Sequence, residues 1–159
     1  MEANSQKIIV DRAISEEQSQ YLVDFETIAL DPTTFDHRAH VYVTWLYLKR
    51  WQAGDIELDD VLAKVGAGLL AFASNYGLDT KYSQTITEAF VILITDAFIL
   101  QPEMDFDHFM GHWPGFQGNF IVLLKRYYSQ ELLFSERARR EFVQPDLNAL
   151  PCTVLTGRP

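Results

Sequence analysis

The stretch A-F-V-I-L-I-T-D-A-F-I-L, Ala89 to Leu100, carries one charge, Asp96, and no sustained alternation of apolar and polar residues. A half-buried strand alternates, so a run of this kind reads as a helix that is apolar nearly all round. Such a helix belongs at the centre of a bundle, where every face meets a neighbour. It is too short, at fewer than the roughly 20 apolar residues needed, to cross a bilayer. Gln101-Pro102 closes it, because proline cannot continue a helix, and the pattern extends back to about Ser83.

A second stretch has the same character. V-Y-V-T-W-L-Y-L, Val41 to Leu48, holds no charged residue, and the spacing predicts a helix from about Phe35 to Gln52, ended by Gly54. Ser15-Glu16-Glu17-Gln18 is a capping box that opens a helix to about Ile28, with Tyr21, Leu22, Phe25 and Ile28 on its apolar stripe. Asp31-Pro32-Thr33-Thr34 is a break. A third helix is expected from about Leu58 to Tyr76, before Gly77, and its Gly66 and Gly68 weaken it unless another helix packs closely there.

Beyond the central run come a short helix near Asp105 to His112, a Trp113-Pro114-Gly115 turn and a helix from about Asn119 to Tyr128. Another follows, capped by Ser129 or Ser135, through Phe142. No internal repeat or low-complexity block interrupts this pattern. The expected fold is therefore all-α, one domain over residues 1–159, a bundle of five to seven helices. Residues 1–12 and 143–159 are expected to be extended or poorly ordered, the latter, with Pro145 and Pro151, as a strap.

The chain has 159 residues, 48% hydrophobic and 13% aromatic, which is enough to bury a core and to line a pocket with rings. Its formal charge of -9 and pI near 4.8 argue against nucleic acid or an anionic membrane surface as partner. One cysteine, Cys152, cannot close an internal disulfide, and the opening M-E-A-N-S-Q-K lacks the basic flank and apolar core of a signal peptide, so a cytoplasmic protein is expected. No nucleophile elbow, phosphate-binding loop or dinucleotide fingerprint is present. Arg137, Arg139 and Arg140 alternate with Glu136 and Glu141, the pattern of a solvated helix face.

The four histidines fall into two pairs at helical spacing, His37 with His40 and His108 with His112. Residues three or four apart share a helix face, so each pair can present two imidazoles to one point. The first pair leads into a buried helix, whereas Asp105-Phe106-Asp107-His108 also reads as a polar helix start with its histidine in water. Facing the first pair, the start of the fourth helix offers Glu88, with Gln84 one turn before it. No H-E-x-x-H, duplicated E-x-x-H or Cys-His cluster is present, so the specific metal signatures are missing.

F-D-H-R-A-H before an aromatic helix, then K-Y-S-Q-T-I-T, then R-Y-Y-S, L-L-F-S, A-R and F-V-Q-P-D-L resemble uncharacterised small bacterial all-helical proteins. Those proteins carry F-x-H-x-x-H followed by Y-H-E-T-x-T, and the resemblance runs from Phe35 onward. It implies a cluster of three imidazoles and a carboxylate, a metal or acid-base site. Here Ser83 stands at the position of the third histidine and Gln84 at that of the glutamate, while Tyr82, Thr85 and Thr87 remain. Serine and glutamine are poor ligands for a transition metal but good hydrogen-bonding groups.

The expected function is a small soluble enzyme that acts on a small organic molecule in an aromatic pocket between the second and fourth helices. His37 and His40 would move a proton and Tyr82 would assist, as in an isomerase, cyclase or dehydratase, with no cofactor. Val41, Thr44, Trp45, Ser83, Gln84 and Glu88 are the expected substrate-binding residues. Two other readings stay open: an oxygenase or hydrolase holding a divalent transition metal with His37 and His40 plus Glu88 or plus His108 and His112, and a non-catalytic ligand-binding or interaction protein. A homo-oligomer is compatible with each.

Overall fold

The computed structural model describes residues 14–151, among which eight α-helices and no strand occur. They are α1 (Glu16–Glu26), α2 (His37–Gln52), α3 (Leu58–Asn75), α4 (Gln84–Leu100), α5 (Phe106–His112), α6 (Phe120–Leu124), α7 (Gln130–Leu133) and α8 (Glu136–Arg140). α4 is the axle. Nearly all of its residues from Thr85 to Phe98 are buried, because α2, α3, α6 and α8 pack around it. α2 is buried over Val43 to Leu48, and α1 lies across α2 and α3. No helix among the described residues is long and apolar enough to cross a membrane.

Side-chain caps set most helix starts. Ser15 and Gln18 form both arms of the capping box of α1, Asp36 accepts from the Ala39 amide to open α2, and Ser83 accepts from the Ile86 amide to open α4. Ser129 and Ser135 each cap a helix of their own, α7 and α8, so the segment expected as one helix is two. α6 stops at Leu124, short of the expected Tyr128, because Tyr127 and Tyr128 are used to hold the chain that follows α8. The Leu147 amide donates to the Tyr127 carbonyl, and the Tyr128 hydroxyl donates to the Val143 carbonyl. Thr85 secures the same strap, accepting from the Val143 amide and donating to the Glu141 carbonyl. Residues 1–12 and the end of the strap, 152–159, lie outside the described residues.

The two glycines of α3 are where other elements come close. A Cβ on Gly68 would overlap the ring of the fully buried Phe25 of α1, and one on Gly66 would meet the Tyr82 hydroxyl at 3.5 Å. Close packing thus explains Gly68, a residue that helix propensity alone disfavours, whereas a side chain at Gly66 would meet Tyr82 only at ordinary van der Waals distance. At the end of α1, Ile28 takes a φ of 60°, the left-handed conformation in which glycine is the usual residue.

Candidate functional site

The N-terminal turn of α2 places His37 and His40 beside α4, and the segment before it brings Phe35 to the same place. His40 lines a cavity of about 340 Å³. One wall is the C-terminal half of α3, with Leu69, Phe72 and Tyr76; another is the start of α4, with Ile86, Thr87 and Phe90. Phe35 and Phe120 close the ends, and Lys81 on the 3₁₀ turn Asp79–Lys81 stands at the edge. The surface so formed is overwhelmingly carbon.

His40 is mostly buried there, and the Phe35 ring meets it edge-on with centroids 4.7 Å apart. Burial pushes its pKa down to about 4; the neighbouring His37 adds to the shift and the Asp36 carboxylate opposes it. The imidazole is therefore uncharged at neutral pH.

His37 is set behind the cavity wall. Its ring stacks on Phe120 at 4.6 Å between centroids and lies 5.4 Å from Phe90. Both ring nitrogens are buried without a hydrogen-bond partner. Burial lowers its pKa as well, and the Phe116 backbone and the Asp36 carboxylate oppose the shift. A buried polar group left this way costs about 1 to 3 kcal/mol.

Tyr82 is the partition between this cavity and a second, open groove. Its hydroxyl donates to Gln84 Oε1 at 2.9 Å, and Gln84 Nε2 donates to Glu88 Oε2 at 2.8 Å. That chain lies on the groove side, where Tyr82, Gln84 and the buried Glu88 face Asp59 and Gly66 of α3. Burial raises the Tyr82 pKa, Thr87 opposes that rise and Glu88 adds to it, so the phenol stays protonated at neutral pH. Ser83 touches the cavity, but its hydroxyl is engaged by the cap of α4 and by the Ala138 carbonyl at 3.4 Å.

Of the residues expected at the site, the cavity gathers His40, Tyr82 and Ser83. Gln84 and Glu88 belong to the groove beyond Tyr82. Val41, Thr44 and Trp45 do not line the cavity and are core. Val41 and Trp45, one and five residues after His40, are turned away from its face, Trp45 against Phe106 of α5 at 5.6 Å, while Thr44 Oγ1 donates back to the His40 carbonyl. His108 and His112 are exposed, His108 with Nδ1 2.7 Å from Asp105 at the start of α5.

Among the described residues no three His, Cys, Asp or Glu side chains converge on a point, and the Ser83 and Gln84 side chains are already hydrogen-bonded within the protein. The Arg137, Arg139 and Arg140 cluster pairs with its own Glu136 and Glu141 on an exposed face.

Sequence reasoning missed the wall supplied by α3 and the Phe120 lid. Leu69, Phe72 and Tyr76 follow an amphipathic pattern that reads as core, and nothing in the sequence says that they border empty space. Phe120 comes from a helix of five residues whose position depends on the preceding turns. No family model, no curated protein and no solved structure matches this chain.

Proposed function

We propose that this protein binds a small, largely apolar organic molecule in the cavity beside α2, with His40 as the group that addresses a polar atom of the ligand. The observation that carries the reading is one uncharged imidazole set into a cavity walled by Phe35, Phe72, Phe90 and Phe120. Ligand sites combine such apolar walls with a few placed polar groups. A neutral imidazole can accept a hydrogen bond at one nitrogen and donate one at the other, so it suits a hydroxyl, carbonyl or ring nitrogen. The volume, about 340 Å³, corresponds to on the order of ten waters, which bounds the ligand to a compact molecule.

Proton-transfer catalysis at His40 is a second reading, favoured by the imidazole being held in the form that accepts a proton. Its low pKa makes it a weak base, so it suits a proton that is already acidic, or one passed on within the same step. The Tyr82 hydroxyl is turned toward Gln84 and His37 does not line the cavity, so of the three expected proton carriers His40 is the one that supports this reading.

The test is a nuclear magnetic resonance titration with a panel of small aromatic and aliphatic molecules, following the Leu69 and Ile86 methyls and the His40 ring. Saturable shifts at all three in the native protein, with weaker binding read from the Leu69 and Ile86 methyls in His40→Gln, are the expected result. Shifts confined to other surfaces, or none from any panel member, would overturn the reading. Turnover of a bound compound that disappears in His40→Gln while binding survives would promote the catalytic reading.

A further inference from the structure

Among the described residues the cavity has one charged side chain on its boundary, that of Lys81. Lys81 lies at its edge, and among the described residues it makes no ion pair or hydrogen bond through its side chain. None of the lysines among the described residues forms an ion pair, so what sets Lys81 apart from Lys49, Lys64 and Lys125 is its place on the boundary of the cavity. Asp79 sits on the same short turn, yet it neither pairs with Lys81 nor borders the cavity. Among the described residues no carboxylate lines the cavity: Glu88 and Asp59 face the groove on the far side of the Tyr82 ring.

We infer that the ligand is an amphipathic monoanion, an organic acid whose apolar body fills the ring-lined interior and whose carboxylate reaches the Lys81 ammonium at the edge. This rests on the cavity being a ligand site, the reading given above. The arrangement is polarised. A carboxylate keeps most of its water at the exposed edge and gains an opposite charge, which avoids the large cost of carrying an anion into a carbon-lined interior. Deeper in, the neutral His40 adds no charge for a second anionic group to meet, which favours one acidic group over two. A cationic amphiphile would set its head against Lys81 and be disfavoured.

The test compares three probes of one chain length, octanoate, octanamide and octylammonium, by isothermal titration calorimetry at pH 7 on the full chain, in the native sequence and in Lys81→Gln and Lys81→Glu. Octanoate is expected to bind about 1.5- to fivefold more tightly than octanamide, the range of an exposed ion pair. The preference should vanish in Lys81→Gln, reverse toward octylammonium in Lys81→Glu, and shrink with added salt. Octanamide binding as tightly as octanoate in the native protein would overturn the anion assignment while leaving the ligand site intact. Failure of all three probes to bind would count against the ligand site itself. Unfolding curves of the three proteins show whether the variants retain the native fold, and an octanoate preference that persists in folded Lys81→Glu would also overturn the assignment.

Discussion

His37 and His40 lie three residues apart at the start of α2, His108 and His112 four apart on α5; the first pair is enclosed by Phe35, Phe90 and Phe120, the second faces water. Both spacings place two imidazoles on one helix face. What separates them is the rest of the helix. α2 runs for 16 residues, and the turns after its histidines are apolar on every side, so the helix is drawn between α3 and α4 with its first turn attached. α5 has 7 residues, begins with Asp105 and Asp107 around its first turn, and buries only Phe109 and Met110. Spacing decides which residues share a face, and the continuity of that face with the core decides whether it sees solvent.

The comparison breaks most sharply at the rings around the first pair. Phe90 is 4% exposed, contacts His37, and packs tilted against Phe120 with centroids 4.4 Å apart. Phe90→Ala should cost about 3 to 5 kcal/mol in urea unfolding, the range for emptying a buried aromatic site. A loss under about 1 kcal/mol would mean that the surroundings collapse readily, and that the enclosure of the histidines is not built into the core.

Acid should come next. The folded His40 titrates at about 4 and the unfolded imidazole near 6.5, so between these values the unfolded chain binds the extra proton. Stability is then fully present above about pH 6.5, falls as the pH drops toward 4, and has lost this contribution below it, about 2 to 4 kcal/mol in all. His37 shifts in the same direction, and the two imidazoles oppose each other's charging. Urea midpoints measured from pH 7.5 to 4 should fall in the native protein and flatten in His40→Phe, whose ring replaces the imidazole without a titrating group. An unchanged slope in a folded His40→Phe would transfer the acid sensitivity to other residues.

His37 sharpens the contrast from the other side. Its two buried nitrogens lack hydrogen-bond partners, so His37→Leu removes a polar group that costs stability and keeps an apolar filling against Phe90 and Phe120. The variant should gain about 1 kcal/mol, read as a rise in urea midpoint at pH 7. A loss of the same size would mean that a solvent or ligand atom satisfies the imidazole in the working protein.

The helical scaffold was legible because its signals are local. Caps such as Ser15 and Ser83, the stop at Gln101-Pro102 and the uncharged runs of α2 and α4 each depend on neighbouring residues alone. Gly68 was legible as a demand for close packing, although not as a contact with Phe25. The cavity was half legible. F-x-H-x-x-H marked His40, and K-Y-S-Q marked Tyr82 and Ser83, but the face each side chain presents depends on helix rotation and depth, which moved Val41 and Trp45 into the core and turned Gln84 and Glu88 to the groove. Lys81 was passed over because a lysine on a polar turn has no sequence signature that separates a bare surface charge from one at a cavity edge.

The smallest effect is the one that tests the other half of the comparison. His108 has a side chain 78% exposed and touches Asp105, whose carboxylate also accepts from the His108 amide as the cap of α5. That cap belongs to the backbone and survives loss of the imidazole. His112 meets only the edge of Trp113 among ring contacts, with centroids 5.1 Å apart. His108→Ala/His112→Ala should therefore change unfolding stability by no more than about 0.5 kcal/mol at pH 7, the usual size for surface changes that leave caps and core intact. It should also leave ligand shifts at Leu69 and Ile86 as they are, because neither imidazole borders that cavity. A double variant that lost the shifts while staying folded would show α5 reaching the cavity in the bound state, and the two pairs would then form one site instead of two environments.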